Sequence, residues 1–289
     1  MLQMNKKKIY PLAFVWPAVV IFLVLFILPT VISFYFSFTV WDLKEAVWCG
    51  LDNYKMFFSE SSLSLSMINT VIYAVSTCTL KVLLGFFIAV FLTSNIITKT
   101  FIRSMIFFPT LVSSVAVGIM FKAILHPTKG ILNVFLSLFG IGGTDWLGNT
   151  KLALGSIIAV DVWKGLGIAV VIFIAGIQSI DKAYYESATI DGASKFKSIF
   201  YITAPLSKAA RNSVIILAFI GGIRSFDLIW AMTKGGPGYA TDVIASTVYK
   251  QYSSGYYGLS TAGNVIMLLM VMFLAFPLQK LINRGGDIQ

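Results

Sequence analysis

The chain is constrained first by a series of apolar runs. Each is close to or longer than the roughly 20 residues a helix needs to cross a ~30 Å hydrocarbon core. Six such stretches are predicted, at about 10–38, 67–94, 101–125, 152–178, 212–233 and 260–283. Inside lipid no water is available to the backbone, so a spanning segment satisfies its own N–H and C=O groups by forming a helix. The sequence therefore predicts an all-α, polytopic membrane protein with six transmembrane helices, residues 1–289 forming a single transmembrane domain. Composition agrees, because 57% hydrophobic and 12% charged residues cannot coat a soluble body of this length.

The first run follows Lys6, Lys7 and Lys8, as the apolar part of a signal peptide would. It is far longer than a 7–15-residue signal core and no A-x-A cleavage site appears, so a retained signal-anchor helix is expected. Its length leaves room for an interfacial segment after Pro29.

The net charge of +10 does not point to nucleic acid, because the bases are scattered between apolar runs without an aromatic-interleaved patch. It points to orientation. With the N-terminus inside, Lys6, Lys7, Lys8, Lys99, Arg103, Lys182, Lys195, Lys197, Lys208, Arg211, Lys280 and Arg284 fall on the cytoplasmic side. Only Lys44, Lys55, Lys129, Lys151, Lys234 and Lys250 fall outside, which predicts both termini cytoplasmic. Trp16, Trp41, Trp48 and Trp146 lie near or beyond predicted span ends, as interfacial anchors do. Cys49, Cys78 and the single histidine, His126, form no metal-ligand cluster or disulfide framework. His126 precedes Pro127 in a predicted turn, where a structural role is expected.

The inner loop at about 179–211 carries signals of ordered structure. Asp181 can cap a helix starting at Lys182, and Gly192 can end it in a left-handed conformation. Phe196, Ile199, Phe200 and Ile202 are spaced for one face of a second helix, and Pro205 is expected to break it. Pattern alone leaves two readings, an amphipathic element resting on lipid or a docking element for a cytoplasmic partner.

The run Tyr185-Glu186-Ser187-Ala188-Thr189-Ile190-Asp191-Gly192-Ala193, followed by Phe196, Ile202 and Ala204-Pro205-Leu206, resembles the EAA loop of ABC importer permeases. That loop reads E-A-A-x-x-x-G, nine residues, then I-x-L-P. Here Ser187 takes the second position, Asp181 stands where a proline is common, and Ala204 replaces the leucine. Phe226-Asp227-Leu228-Ile229-Trp230 and Thr233-Lys234-Gly235-Gly236-Pro237-Gly238 resemble the F-D-x-I and T-x-G-G-P segments of the carbohydrate (maltose-type) branch, with Asn69-Thr70 a weaker echo. The resemblance implies a permease in a bacterial or archaeal cytoplasmic membrane, carrying a sugar or oligosaccharide. It implies partners: a second homologous permease, two ATPase subunits and an extracytoplasmic solute-binding protein. In such proteins the loop docks on the ATPase, so Glu186, Ser187, Ala188, Asp191, Gly192 and Ala193 would be the coupling residues. No G-x-x-x-x-G-K-[ST] phosphate loop occurs, so this chain is expected to bind no cofactor and to be no enzyme, with ATP and Mg on the partner ATPase.

Charge inside a membrane costs at least ~2.5–3.5 kcal/mol per residue on insertion scales, so it faces a partner or water. Asp161 and Lys164 in the fourth span, and Arg224 and Asp227 in the fifth, are spaced i,i+3 and can pair on one helix face. At ~1.5 Å per residue Asp161 lies about 14 Å past residue 152, and Arg224 about 18 Å past residue 212. These pairs are either structural or line a polar pathway with Trp163, Gly165 and Ser225; in maltose-type permeases the matching segments hold the sugar. Gly165, Gly167, Gly221 and Gly222 leave room for a ligand or for close helix packing. Lys81 can face the cavity or pair with Asp161. Arg224 and Lys164 would also suit a glycerol-phosphate or other polyol-type solute. An ion-coupled secondary transporter using Asp161 or Asp227 is the competing class, but it has no use for an EAA loop.

The charge bias makes a direct prediction. In a cysteine-free background, Ser194→Cys should resist an impermeant thiol reagent added to intact cells and react once the membrane is opened. Labelling from outside would reverse the topology.

Overall fold

The computed structural model describes residues 12–94 and 97–283. Lys6, Lys7, Lys8 and Arg284, which carry part of the orientation argument, and part of the 95–100 turn lie outside these residues. The helices are α1 (Trp16–Phe36), α2 (Asp52–Ser59), α3 (Ser61–Thr93), α4 (Lys99–Leu111), α5 (Ser114–Ile124), α6 (Ile131–Ser137), α7 (Ala153–Gln178), α8 (Lys182–Ile190), α9 (Lys195–Leu206), α10 (Lys208–Ile223), α11 (Asp227–Thr233), α12 (Ile244–Ser253) and α13 (Tyr257–Asn283). Four of them, α1, α3, α7 and α13, are long and apolar enough to cross a membrane unbroken, and there are up to six spans if each of two bent pairs counts as one.

The bent pairs depart from the expected straight spans. The stretch expected as one helix at 101–125 is α4 and α5, which meet at 100°. Val112 and Ser113 take extended backbone between them, three and four residues after Pro109. The stretch expected at 212–233 ends as a helix at Ile223, and α11 starts afresh at Asp227. Gly221 and Gly222, each ~1 kcal/mol poorer than Ala inside a helix, weaken the turn just before that break. At its other end α10 meets α9 at 68°.

Prolines do not cause these breaks uniformly. Pro29, Pro205 and Pro277 each stand two residues after a five-residue π stretch, Leu23–Ile27, Ile199–Thr203 and Val271–Ala275. A proline has no N–H to donate and its ring crowds the carbonyl four residues earlier. Widening the preceding turn relieves the clash: the Leu28 N–H reaches back to the Leu23 carbonyl, and the Ala204 N–H to that of Ile199. The helix thus continues through Pro205, which was expected to break it, and the break falls at Ser207. Likewise α1 runs through Pro29 with no separate interfacial segment.

After α1 comes a small antiparallel hairpin, β1 (Thr39–Trp41) and β2 (Ala46–Trp48), the only strands among the described residues. Backbone N–H groups of Glu45 and Lys44 donate to Asp42 in its turn and hold that exposed carboxyl below the usual range. Asn53 anchors the hairpin by donating to the carbonyls of Ser37 and Thr39, both at 2.9 Å.

The 33-residue α3 and the 26-residue α7 form the axis of the bundle. One core, with Tyr73, Val117, Ile157, Ile229 and Met232, joins them to α5 and α11. A second, with Ala89, Leu92, Ala169, Phe173 and Val214, joins them to α10. Lipid tails are as apolar as leucine, so close packing rather than hydrophobicity holds such helices together, and small residues permit it. At Gly222, an added Cβ would lie 2.6 Å from Ala74 Cα. Gly222→Val should therefore cost about 1–3 kcal/mol by overpacking. A lowered thermal midpoint of the detergent-solubilised chain checks this, and an unchanged midpoint contradicts it.

Candidate functional site

Packing of α3 on α7 sets Lys81 opposite Asp161. Their side chains meet at 2.7 Å and are only 12% and 19% exposed. Gly165, one turn beyond Asp161, leaves the space this requires: a Cβ there would stand 2.7 Å from Lys81 Cε and 2.9 Å from Nζ. The ammonium thus lies across bare backbone to reach the carboxylate. The expected pair Asp161–Lys164 does not form; the partner is on the neighbouring helix. Tyr73, fully buried on α3, lies close to Asp161 and accepts a hydrogen bond from Ser225 Oγ at 3.3 Å.

The second expected pair fails for a different reason. Arg224 caps α10 and Asp227 opens α11, so the break between them removes the shared helix face. Both are exposed and neither makes an ion pair among the described residues. Arg224 opens onto a cleft of ≈ 460 Å³ between α1, α10 and α13, together with Thr30, Ser33 and Asn264. Lys81 and Gly165 line a smaller cavity of ≈ 120 Å³ with Ile168, Val214, Leu217 and Ala218. Lys164 contributes its carbonyl, which accepts from Thr110 Oγ1 at 3.0 Å. Trp163, 42% exposed, sets its ring edge-on to Phe121 with centroids 5.1 Å apart. Of the residues expected to line a pathway, Asp161, Gly165 and Ser225 converge around Lys81 and Tyr73, Arg224 and Asp227 flank the helix break, and Trp163 leans on α5. Of the four glycines, Gly167 and Gly222 serve packing, Gly165 seats Lys81, and Gly221 has open space around it.

In the N-terminal part of α3, Asn69 and Thr70 prove to be partners of the loop that follows the Gly-Gly-Pro segment. Asn69 Nδ2 donates to the carbonyls of Tyr239, Ala240 and Asp242 at 3.3, 3.2 and 3.0 Å. Thr70 Oγ1 accepts from the Ile244 N–H at 2.9 Å. Beneath this loop Asp242, 1% exposed, accepts from Ser246 Oγ at 2.8 Å and pairs with Lys250 at 2.6 Å. Sequence reasoning placed Lys250 among the outer charges and did not pair it; Asp242, two residues before α12, is brought to it by that helix's first two turns.

The 179–211 loop folds as a helical hairpin. Asp181 caps α8, accepting from the Ala183 N–H at 2.9 Å. Gly192 ends it at φ +72°, where the Ala193 N–H donates to the Ala188 carbonyl at 2.8 Å and the Gly192 N–H to that of Thr189 at 3.1 Å. Tyr185 and Thr203 join their hydroxyls at 3.0 Å, tying α8 to α9. Glu186, Ser187 and Asp191 are exposed, while Ala188 and Ala193 are half-buried. Apolar side chains stand out beside them, with Ile190 at 86% and Tyr201 at 80% exposure. The hairpin covers one side of a ≈ 630 Å³ cleft against the ends of α3 and α7, lined by Val90, Thr93, Gln178 and Tyr185 among others.

Comparison with known proteins bears on this arrangement. Residues 81–285 match the family model described as binding-protein-dependent transport system inner membrane component. A trehalose/maltose transport system permease of Thermococcus litoralis is 31% identical over 258 residues, covering 89% of this chain and 88% of that protein. A probable ABC transporter permease of Bacillus subtilis is 29% identical over 292 residues, covering 99% and 100%. Among solved structures, a chain of a bacterial ABC transporter involved in import of the acidic polysaccharide alginate superposes with TM-score 0.81 at 22% identity, covering 95% of each chain. A chain of a bacterial alginate ABC transporter in complex with an alginate pentasaccharide-bound periplasmic protein superposes with TM-score 0.81 at 21% identity, covering 95% of this chain and 93% of that one. At those identities the likeness is one of fold.

The ion pair generates a prediction. Removing one partner of a mostly buried pair strands a charge and costs about 3–5 kcal/mol, whereas replacing both with apolar residues can be near neutral. Lys81→Met or Asp161→Leu alone should lower the thermal midpoint of the solubilised chain more than the double replacement does. Additive losses would contradict the pairing.

Proposed function

The chain belongs to the family of binding-protein-dependent transport system inner membrane components, and from that premise we propose that it is the permease subunit of an ATP-driven importer of a sugar or oligosaccharide. It forms half of the translocation pathway and couples to a separate ATPase through the 179–211 hairpin. The observation that carries the coupling assignment is the hairpin itself. Its motif residues sit on a capped, outward-standing helix whose glycine turn has a positive φ, with acids and apolar side chains presented together. Glu186 and Asp191 supply charge for a basic surface. Ala188, Ala193 and Gly192 permit close approach, and Ile190 and Phe196 supply apolar contact. The Tyr185–Thr203 bond gives a mechanical route, since a push on α8 is transmitted to α9 and, across the bend at Ser207, to α10.

The sugar reading is supported by the trehalose/maltose relative, and by an arabinooligosaccharide permease of Bacillus subtilis that is 28% identical over 281 residues, 95% of this chain. In this reading the polar groups around Lys81, Asp161, Ser225 and Arg224, with the Trp163 ring, line the path. The remaining parts are a second homologous permease, two ATPases carrying ATP and Mg, and an external solute-binding protein; both termini face the cytoplasm.

The test is made at the hairpin. Glu186→Lys reverses a surface charge, and Gly192→Val forces a branched residue into a left-handed turn, at a cost of roughly 1–2 kcal/mol. Both variants should insert normally, co-purify less ATPase and lose uptake of the oligosaccharide that a deletion of this chain abolishes. Wild-type association and uptake in both would remove the hairpin from coupling, and a deletion that abolishes no sugar uptake would remove the sugar reading.

A further inference from the structure

The segment between α5 and α7 has no role in the account so far. From Gly130 to Thr144 it contains no charged residue. Its helix, α6, presents Ile131, Val134 and Phe135 outward, and Leu138, Phe139 and Ile141 continue the same exposed apolar surface; Leu138 is 77% and Ile131 72% exposed. Such a patch in water would be an aggregation liability, and on a folded protein it marks a membrane or protein contact.

The patch is also held rigid. Asn133, 5% exposed, donates through Nδ2 to the carbonyls of Pro127 and Thr144, both at 2.8 Å, and its Oδ1 accepts from Trp146 Nε1 at 2.8 Å. Leu132 and Leu136 turn the other way, partly buried, and Leu132 packs on the core that contains Tyr73 and Ile157. Gly130 approaches the His126 and Ile124 carbonyls so closely that no Cβ fits. The polar anchor thus lies behind the helix and the greasy side is fixed in front.

We propose that this patch is an interfacial anchor, seated in the outer leaflet of the bilayer at the depth where acyl chains meet headgroups. Placement argues for lipid as the occupant. Only six residues separate Ile124, the end of α5, from Ile131, so α6 must lie beside the end of a membrane segment whose Val115, Ile119 and Met120 are themselves exposed. The surface is therefore continuous with the lipid-facing belt. Exposed Lys129 and Asp145 bound the segment, with exposed Lys151 six residues beyond; the two lysines suit phosphate headgroups, and Trp146 is tied to α6 through Asn133. No acid falls between Gly130 and Thr144, and the one at its edge, Asp145, is engaged locally, accepting from the Gly148 N–H at 2.7 Å, so the patch itself offers a water-soluble partner only apolar surface.

Spin labels test this in membranes from cells that make the full chain, with Cys49 and Cys78 replaced. Labels at Phe135→Cys, Leu138→Cys and Phe139→Cys replace exposed side chains, so the fold should tolerate them; Lys129→Cys is the headgroup-side control. The three patch labels should collide readily with oxygen and show a marked loss of nickel-chelate broadening relative to Lys129→Cys. Broadening by the chelate at all three would place the patch in water. Exclusion of both reagents would mean that another protein chain covers it. Either result overturns the proposal and leaves the importer assignment standing, because no coupling or pathway residue is touched.

Discussion

Lys81 and Asp161 can remain within an apolar bundle only as a pair, and much of the arrangement depends on that requirement. An ammonium and a carboxylate taken out of water each lose solvation that only a close opposite charge can offset. The 2.7 Å contact sets the register of α3 on α7, the two helices that form the axis. It explains why Gly165 must be bare; Tyr73 lies next to the same carboxylate, with Ser225 bonded to its hydroxyl. α10 and α11 then pack on this axis, and the polar ends they bring, Ser225 and Arg224, come to the helix break beside it.

That break is as informative as the pair. Unsatisfied backbone is tolerated at membrane depth only where protein or water covers it. Arg224, Ser225 and Phe226 interrupt the helix where a cleft containing Asn264, Thr30 and Ser33 opens. The bent α4–α5 and α9–α10 pairs are further interruptions of the same bundle. By contrast, the π stretches before Pro29, Pro205 and Pro277 keep their helices continuous where prolines threaten them. Continuity through Pro205 matters most for the proposed coupling, in which α9 carries displacement from the hairpin to α10.

What was legible in the sequence was what depends on local pattern. The spans at 67–94, 152–178 and 260–283 correspond to α3, α7 and α13 with ends moved by up to six residues. Asp181 and Gly192 were readable as the cap and stop of α8 because their chemistry acts within a few residues. Asp161–Lys164 and Arg224–Asp227 misled because i,i+3 spacing creates a pair only on an uninterrupted helix with no better partner nearby. Lys81 offered Asp161 a closer charge from another helix, and the break at Ile223 separated the other two. Asn69 was noticed as an echo of a motif, but its three carbonyl partners lie some 170 residues away, beyond any periodicity. The α6 patch was not singled out in the sequence because a seven-residue helix is too short to announce itself.

The central claim is that this chain receives mechanical work from a separate ATPase at the tip of α8. Ile190, 86% exposed beside Asp191 and Gly192, is the most direct reporter. A photoreactive benzophenone amino acid placed at Ile190 in the full chain, expressed in its own host and irradiated in intact membranes, should form an adduct with a phosphate-loop ATPase identifiable by mass spectrometry. The adduct yield should change when the nucleotide state is trapped. Adducts with lipid alone, at wild-type levels of expression and insertion, would contradict the account.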